Sequence, residues 1–263
     1  MGTVTDALLT VSDPNHVPSR LVEAPACDFS VLTLNAGWPE DLERFAAALA
    51  RTGPGAGPGA DYELIAASNA SAAVEGAIRS LAAADGRVRG LKFSQRVGFG
   101  AARNAGILQA RGRIVVVADT SVEPLGDVLG PTAAILADPA VGMTGPWGLL
   151  SADLRSFEEA TDGEVDALQA YWLAFRRSDA RPELFFDPKF TFYRNADIDV
   201  SLRWRAAGHR LVAAPIPLER HTHREWEALG DIERERKSRD NFARMLRSWR
   251  ERTDLLTGRS RPQ

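Results

Sequence analysis

Ile114-Val115-Val116-Val117-Ala118 is the most apolar strand candidate in the chain. A short, β-branched, uninterrupted run suits a strand covered on both faces, as in a parallel sheet with helices on either side. The chain turns polar at once, in Asp119-Thr120-Ser121-Val122-Glu123-Pro124. Open α/β sheets bind ligands beyond the carboxyl ends of their strands, so this junction is a place where chemistry is expected.

Working outward, the same alternation repeats. Upstream, Phe29–Leu34, Tyr62–Ala67 and Val88–Phe93 read as strands, and Pro39–Arg51, Ser71–Ala84 and Gly98–Ala110 as helices. Pro39 with Glu40 and Asp41 suits a first helical turn, and Gly53–Gly59 reads as a flexible connector. Downstream, Pro124–Asp138 reads as a helix, Val141–Thr144 and Ala170–Phe175 as strands, Asp197–Ala207 as a helix stopped by Gly208, and Leu211–Ala214 as a strand. Strands alternating with helices imply an α/β, Rossmann-like, mostly parallel sheet flanked by helices. A last helix spans Asp231–Arg252, with Phe242, Met245, Leu246 and Trp249 in one apolar stripe. The organisation expected is a tail or surface clasp over 1–26, one domain over 27–224, and a charged helix and tail over 225–263.

The 263 residues carry 44% hydrophobic and 25% charged side chains, which excludes whole-chain disorder. Lys and Arg number 32 against 35 Asp and Glu, so no global basic field points to nucleic acid. From Arg220 on, 12 basic residues stand against 8 acidic, leaving 20 against 27 in the rest. The final helix is thus either a solvated element docked by its stripe or a basic face for peripheral contact with an anionic membrane. A lone Cys excludes an internal disulfide and a Cys-rich metal site. With no apolar run long enough to span a bilayer and no signal-peptide order at the N-terminus, a cytoplasmic protein is expected.

Four stretches can carry chemistry. Asn35-Ala36-Gly37 and Ser68-Asn69-Ala70-Ser71 put short polar side chains at strand ends, for a base or ribose or else for turns and caps. Gly98-Phe99-Gly100-Ala101-Ala102-Arg103 opens a helix with glycines but has Arg103 where a dinucleotide fingerprint needs a third Gly. It either presents N–H groups and a cation to a diphosphate or packs tightly on the sheet. In extended chain Asp119, Ser121 and Glu123 face one way, as oxygen ligands for Mg²⁺ or Mn²⁺ or as helix-start chemistry. Asp197 stands at a helix start, as cap or as positioned base, whereas Asp199 pairs with Arg203 one turn on. His221-Thr222-His223 adds two imidazoles, a surface pair or metal ligands. Trp147 offers a flat face to a sugar, while Trp172 is expected in the core.

In this order the pieces resemble family 2 glycosyltransferases, the inverting group with the GT-A fold, over about residues 28–224. Gly98-Phe99-Gly100-Ala101-Ala102-Arg103-Asn104-Ala105-Gly106 is the most specific match, similar to rhamnosyltransferase-like members. Asp119-Thr120-Ser121 stands at the D-x-D position, Asp197 at that of the catalytic base, and His221 where the family often has a histidine near the metal. The resemblance implies a sugar transferase, of hexosyltransferase type. Its donor is a UDP-, dTDP- or GDP-sugar held by Asn35, Ser68, Asn69, Arg103, Asp119 and Ser121. Its divalent cation is held weakly by Asp119, Ser121 and His221, because Ser121 replaces a carboxylate. Its acceptor is a glycan, a lipid-linked molecule or a small molecule. The lost carboxylates at Ser68, Ser121 and Ala196 leave room for a non-catalytic nucleotide- or glycan-binding relative. A nucleotidyltransferase is disfavoured, since Asn35-Ala36-Gly37-Trp38 lacks a basic, glycine-rich loop.

Overall fold

The computed structural model describes residues 8–52 and 61–259. The expected connector at 53–59 lies outside these residues.

The strands are β1 Leu8–Val11, β2 Cys27–Asn35, β3 Tyr62–Ser68, β4 Val88–Phe93, β5 Gly112–Ala118, β6 Val122–Pro124, β7 Val141–Gly145, β8 Gly148–Leu150, β9 Glu158–Ala160, β10 Gly163–Glu164, β11 Ala167–Leu168, β12 Trp172–Arg176, β13 Arg210–Ala213 and β14 Leu218–Arg220. The helices are α1 Pro39–Thr52, α2 Ala72–Ala84, α3 Phe99–Leu108, α4 Leu129–Leu136, α5 Ala196–Ala206, α6 Arg224–Glu227 and α7 Asp231–Trp249.

Nine strands form the central sheet in the order β1-β4-β3-β2-β5-β12-β7-β13-β10. Pairing is parallel from β1 through β5 and between β7 and β13; β12 and β10 run antiparallel to their neighbours. The chain steps outward from β2 to β3 and β4, then returns to place β5 on the other side of β2. That reversal opens a crevice at the carboxyl ends of β2 and β5, where Asn35 and Asp119 leave the sheet. β12 lies against β5 with Trp172 opposite Ala118, which brings Tyr171 beside Asp119; the Asp119 amide donates to the Tyr171 carbonyl at 3.0 Å.

Val115, Val116, Val117 and Ala118 are all fully buried, as a strand covered on both faces requires. Trp172 is also in the core, its indole N–H reaching Thr132 at 3.3 Å. Gly100 lets α3 approach the 186–190 segment: a Cβ there would meet the Asp187 carbonyl oxygen at 2.4 Å. Gly208, at φ +88, ends α5 in a left-handed turn.

The second half is less regular. A small antiparallel sheet, β11-β8-β9, flanks the main one, and β14 pairs with β6. The apolar stripe of α7 docks as expected: Met245 is buried, and Phe242, Leu246 and Trp249 pack on the core. The Trp249 indole N–H donates to Asp199 at 2.8 Å, and Asp199 also accepts from Arg203 at 2.7 Å. Along α7, Glu233 faces Arg236 and Lys237, and Glu235 faces Arg239, so part of its positive charge is met within the helix. No helix among the described residues is long and apolar enough to cross a membrane.

Two expectations need correction. Residues 8–11, read as part of a tail, form the edge strand beside β4, anchored by buried Leu8 and Val11. The helix expected over Pro124–Asp138 spans only Leu129–Leu136: Pro124 belongs to β6, opposite Leu218, and the Asp127 carboxylate accepts from the amides of Leu129 and Gly130 at the helix start.

Candidate functional site

Asp119, Asp197 and His223 line one cleft of about 310 Å³ beside the crevice. A narrower pocket on its flank shares Asp119, His223, Phe99 and Tyr193 and adds Arg103 and Asn69. A third, next to the β2–α1 turn, again contains Asp119 and His223 with Asn35 and Ser121. Asp119 and His223 are therefore the pivot of the site.

Asp119 is positioned by the end of β5 and fixed by its own turn. Its Oδ1 accepts from the Ser121 amide at 2.8 Å and the Ser121 hydroxyl at 2.6 Å. Its Oδ2 faces His223 Nε2 at 3.6 Å and the Arg103 guanidinium at 3.7 Å. Burial alone would raise this carboxyl's pKa, but His223, Arg103 and Ser121 outweigh it and hold the group well below the usual carboxylate range. Asp119 is a permanent anion near neutral pH.

Asp197 is in the opposite situation. It lies in the first turn of α5, after Asn195, whose backbone is left-handed at φ +63. Its Oδ1 accepts from the Ile198 amide at 3.0 Å and its Oδ2 is 3.5 Å from the Ala170 amide. Burial dominates, and the pKa is pushed up to about 6. A carboxylate poised there can gain and lose a proton near neutrality.

His223 caps α6, its Nδ1 accepting from the Trp226 amide at 3.3 Å. That bond needs an unprotonated Nδ1, so in the neutral ring the proton sits on Nε2, toward Asp119. Burial lowers this imidazole's pKa, but the Asp119 carboxylate more than compensates and raises it. The ring stacks on Tyr193 at 4.3 Å between centroids. Arg224 then reaches Glu40 and Asp41 of α1, and Glu225 reaches Arg96 at 2.8 Å, so α6 closes over the crevice.

The other expected site residues divide. Arg103 is buried behind Asp119, donating to the Ala118 carbonyl at 2.8 Å. Two amides at the start of α3 are not free for an anion: those of Phe99 and Gly100 donate to the Thr191 and Phe190 carbonyls. Asn35 organises its turn, accepting from the Gly37 and Trp38 amides at 3.0 Å. Asn69 clamps Val97 with two hydrogen bonds of 2.9 and 3.0 Å. Ser68 is fully buried and bonded to Ser71, so it does not face a ligand. Glu123 and His221 do not join Asp119: they pair with each other at 3.0 Å, and Glu123 is also near Arg44 and Arg51. The imidazole near Asp119 is His223, two residues from the one expected. The signal was available: Glu225 and Glu227 after His223 mark a helix start, which turns the second histidine away from the first.

Among the described residues no three metal-ligating side chains meet. Asp119 fits a divalent cation of the kind that takes one or two protein ligands and completes its shell from phosphate and water, and His223 Nε2 can join it once the ring proton moves to Nδ1 and the Trp226 amide bond is given up. Ser121 supports Asp119 instead of adding a carboxylate.

The model of glycosyl transferase family 2 matches residues 30–198, well over half the chain, and the chain belongs to that family. Two solved structures share the fold. One is described as "Crystal structure of GalNAc-T7 with UDP, GalNAc and Mn2+"; it is 15% identical, with a TM-score of 0.70, over 87% of this chain and 50% of that one. The other is a mannosyltransferase, PcManGT from Pyrobaculum calidifontis, "in complex with GDP-Man and Mn2+"; it is 17% identical, with a TM-score of 0.62, over 91% and 71%. The chain thus spans about half the length of the first. Among curated proteins none matches. The fold is GT-A: a mostly parallel sheet flanked by helices, matching both structures.

Proposed function

We propose that this protein transfers a sugar, of hexose type, from a nucleoside diphosphate to an acceptor hydroxyl with inversion at the anomeric carbon. The observation that carries the reading is the meeting in one cleft of two carboxylates with opposite proton affinities, Asp119 and Asp197. Family membership and the UDP- and GDP-bound neighbours support the donor class. A rhamnosyltransferase-like specificity rests on the Gly98–Gly106 stretch alone.

In this reading Asp119, with His223 in its other tautomer, would hold a divalent cation whose charge would offset that of the departing diphosphate. Ser121 fixes the rotamer of Asp119, and Arg103 adds a buried positive charge behind it. Asp197 accepts the acceptor's hydroxyl proton as that oxygen bonds to the anomeric carbon and the bond to the diphosphate breaks. The nucleoside diphosphate leaves on the opposite face, which inverts the centre. A base with a pKa of about 6 is ionised near pH 7 yet retains affinity for a proton, as general-base catalysis requires. Tyr171 and Tyr193, on the cleft wall, supply aromatic surface for sugar rings, Tyr193 with one face already taken by His223.

The test is turnover of UDP-, dTDP- and GDP-sugars with Mn²⁺, read as release of nucleoside diphosphate to water or added acceptors. Turnover that Asp197→Asn removes supports the reading. No turnover of any donor, with nucleotide binding intact, favours a non-catalytic relative.

A further inference from the structure

The cleft's carboxylates and imidazole are accounted for by the reading above, but two of its positive charges are not. Arg155 and Arg194 line the same 310 Å³ space as Asp197. Neither lines the two pockets that fan out around Asn35, Asn69 and Arg103. Among the described residues neither guanidinium forms an ion pair; Arg194 lies over the Trp226 ring at 4.9 Å. Arg103, in contrast, is already engaged by Asp119 and the Ala118 carbonyl.

Both arginines sit beside strained backbone. Leu154, just before Arg155, has φ +61, and Asn195, just after Arg194, has φ +63. A left-handed leucine is rare and costs on the order of 1–3 kcal/mol, so the surroundings must impose it. They do. The Ser151 hydroxyl accepts from the Leu154 amide at 2.8 Å, and its amide donates to buried Asp166 at 2.7 Å. Asp153 accepts from the Arg155 and Ser156 amides at 2.8 and 2.9 Å. On the other side, Asn241 of α7 donates to the Phe192 and Arg194 carbonyls at 2.7 and 2.8 Å. Two separately braced turns thus bring two exposed arginines, neither in an ion pair and Arg194 within electrostatic reach of Asp197, to the rim of one cleft. Guanidinium is the side chain suited to bidentate capture of a carboxylate or phosphate. Phe157, Tyr171 and Phe242 supply apolar wall to the same cleft.

We propose that the acceptor carries an oxyanion, a carboxylate or a phosphate, held by Arg155 and Arg194 while its hydroxyl faces Asp197. This rests on the glycosyltransferase reading and names the substrate class of that site. The donor's diphosphate is assigned elsewhere, to the side of Asp119, His223 and Arg103.

The test is calorimetric titration of the full chain, saturated with Mn²⁺ and UDP or GDP, using matched probes. One pair is p-nitrophenyl β-glucuronide against p-nitrophenyl β-glucoside; the other is glucose 6-phosphate against glucose. The charged member of at least one pair is expected to bind about tenfold tighter or more, as two charge-assisted contacts imply. The pair that discriminates identifies the anion as carboxylate or phosphate. Arg155→Gln with Arg194→Gln should abolish the preference, whereas the double Lys variant should keep part of it. Each single Gln variant should lose part, which serves if the double variant fails to fold. Equal binding within both pairs, or no binding of either charged probe, overturns the proposal. So does a preference that survives the double Gln change, or nucleotide affinity that falls by the same factor. If the wild-type chain binds no nucleotide at all, the glycosyltransferase reading falls first and takes the proposal with it.

Discussion

The two sides of the cleft place the same side chain in opposite electrostatic surroundings. On the β5 side, Asp119 is flanked by Arg103 and His223 and braced by Ser121, and its proton is driven off. On the α5 side, Asp197 is half-buried with backbone amides and a more distant Arg194, and its proton is held up to about pH 6. Two carboxylates separated in this way can divide the work: one stays charged to manage a diphosphate and its cation, the other exchanges a proton. The identity of the residue does not set its role; the neighbours do.

Each side of the cleft can be probed by substitution. The largest effect is expected at Asp197: replacement by Asn should lower transfer by about 10²–10⁴-fold, the usual worth of a positioned base. Nucleoside diphosphate affinity should stay within about twofold, since Asp197 lies outside the two pockets that hold Asn35 and Arg103. Equal loss of binding and rate in separate assays would show that Asp197 acts on the donor.

Stability against pH should separate the two carboxylates next. Asp197 titrates higher folded than unfolded, so its contribution falls as pH rises from 3.8 to about 6. Asp197→Asn should therefore stabilise the protein above pH 6, by on the order of 2–3 kcal/mol at 1.4 kcal/mol per pKa unit, with no gain below pH 4. Asp119 titrates lower folded than unfolded, so its contribution is present above 3.8 and lost on acidification. Asp119→Asn should thus destabilise the protein near pH 7. Thermal melts of both variants from pH 4 to pH 8 check the opposite signs.

A smaller effect sharpens the histidine assignment. His223→Gln should weaken cation-dependent nucleotide binding by about tenfold, the scale on which residues supporting a metal act. His221→Gln, which only frees Glu123, should change it by less than about twofold. Titrating Mn²⁺ at fixed nucleotide distinguishes the two.

Much of the first half was legible because its signals are local. The β-branched run at 114–118, the capped helix at 72–84 and the glycine-rich start of α3 each specify their own structure. The order of those units then places Asp119 at a strand end. Asp197 was recognisable at a helix start, but its raised pKa comes from burial, which depends on β12 and the small sheet. The residues missed depend on longer-range geometry. His223 replaces His221 because the chain turns at a helix cap. Ser68 and two α3 amides are consumed by internal hydrogen bonds that pattern does not reveal. Leu8–Val11 becomes a strand because β4 offers an open edge, and Arg155 gains meaning only when a strained turn delivers it to the cleft.

The most direct test is titration of UDP and GDP into the full chain with Mn²⁺ and with chelator, for wild type, Asp119→Asn and Asp197→Asn. At least one nucleotide is expected to bind the wild type, chelation or Asp119→Asn to weaken that binding by about tenfold or more, and Asp197→Asn to leave it nearly unchanged. Nucleotide binding indifferent to Asp119, or absent for both nucleotides, would contradict the assignment of Asp119 to the diphosphate and its cation.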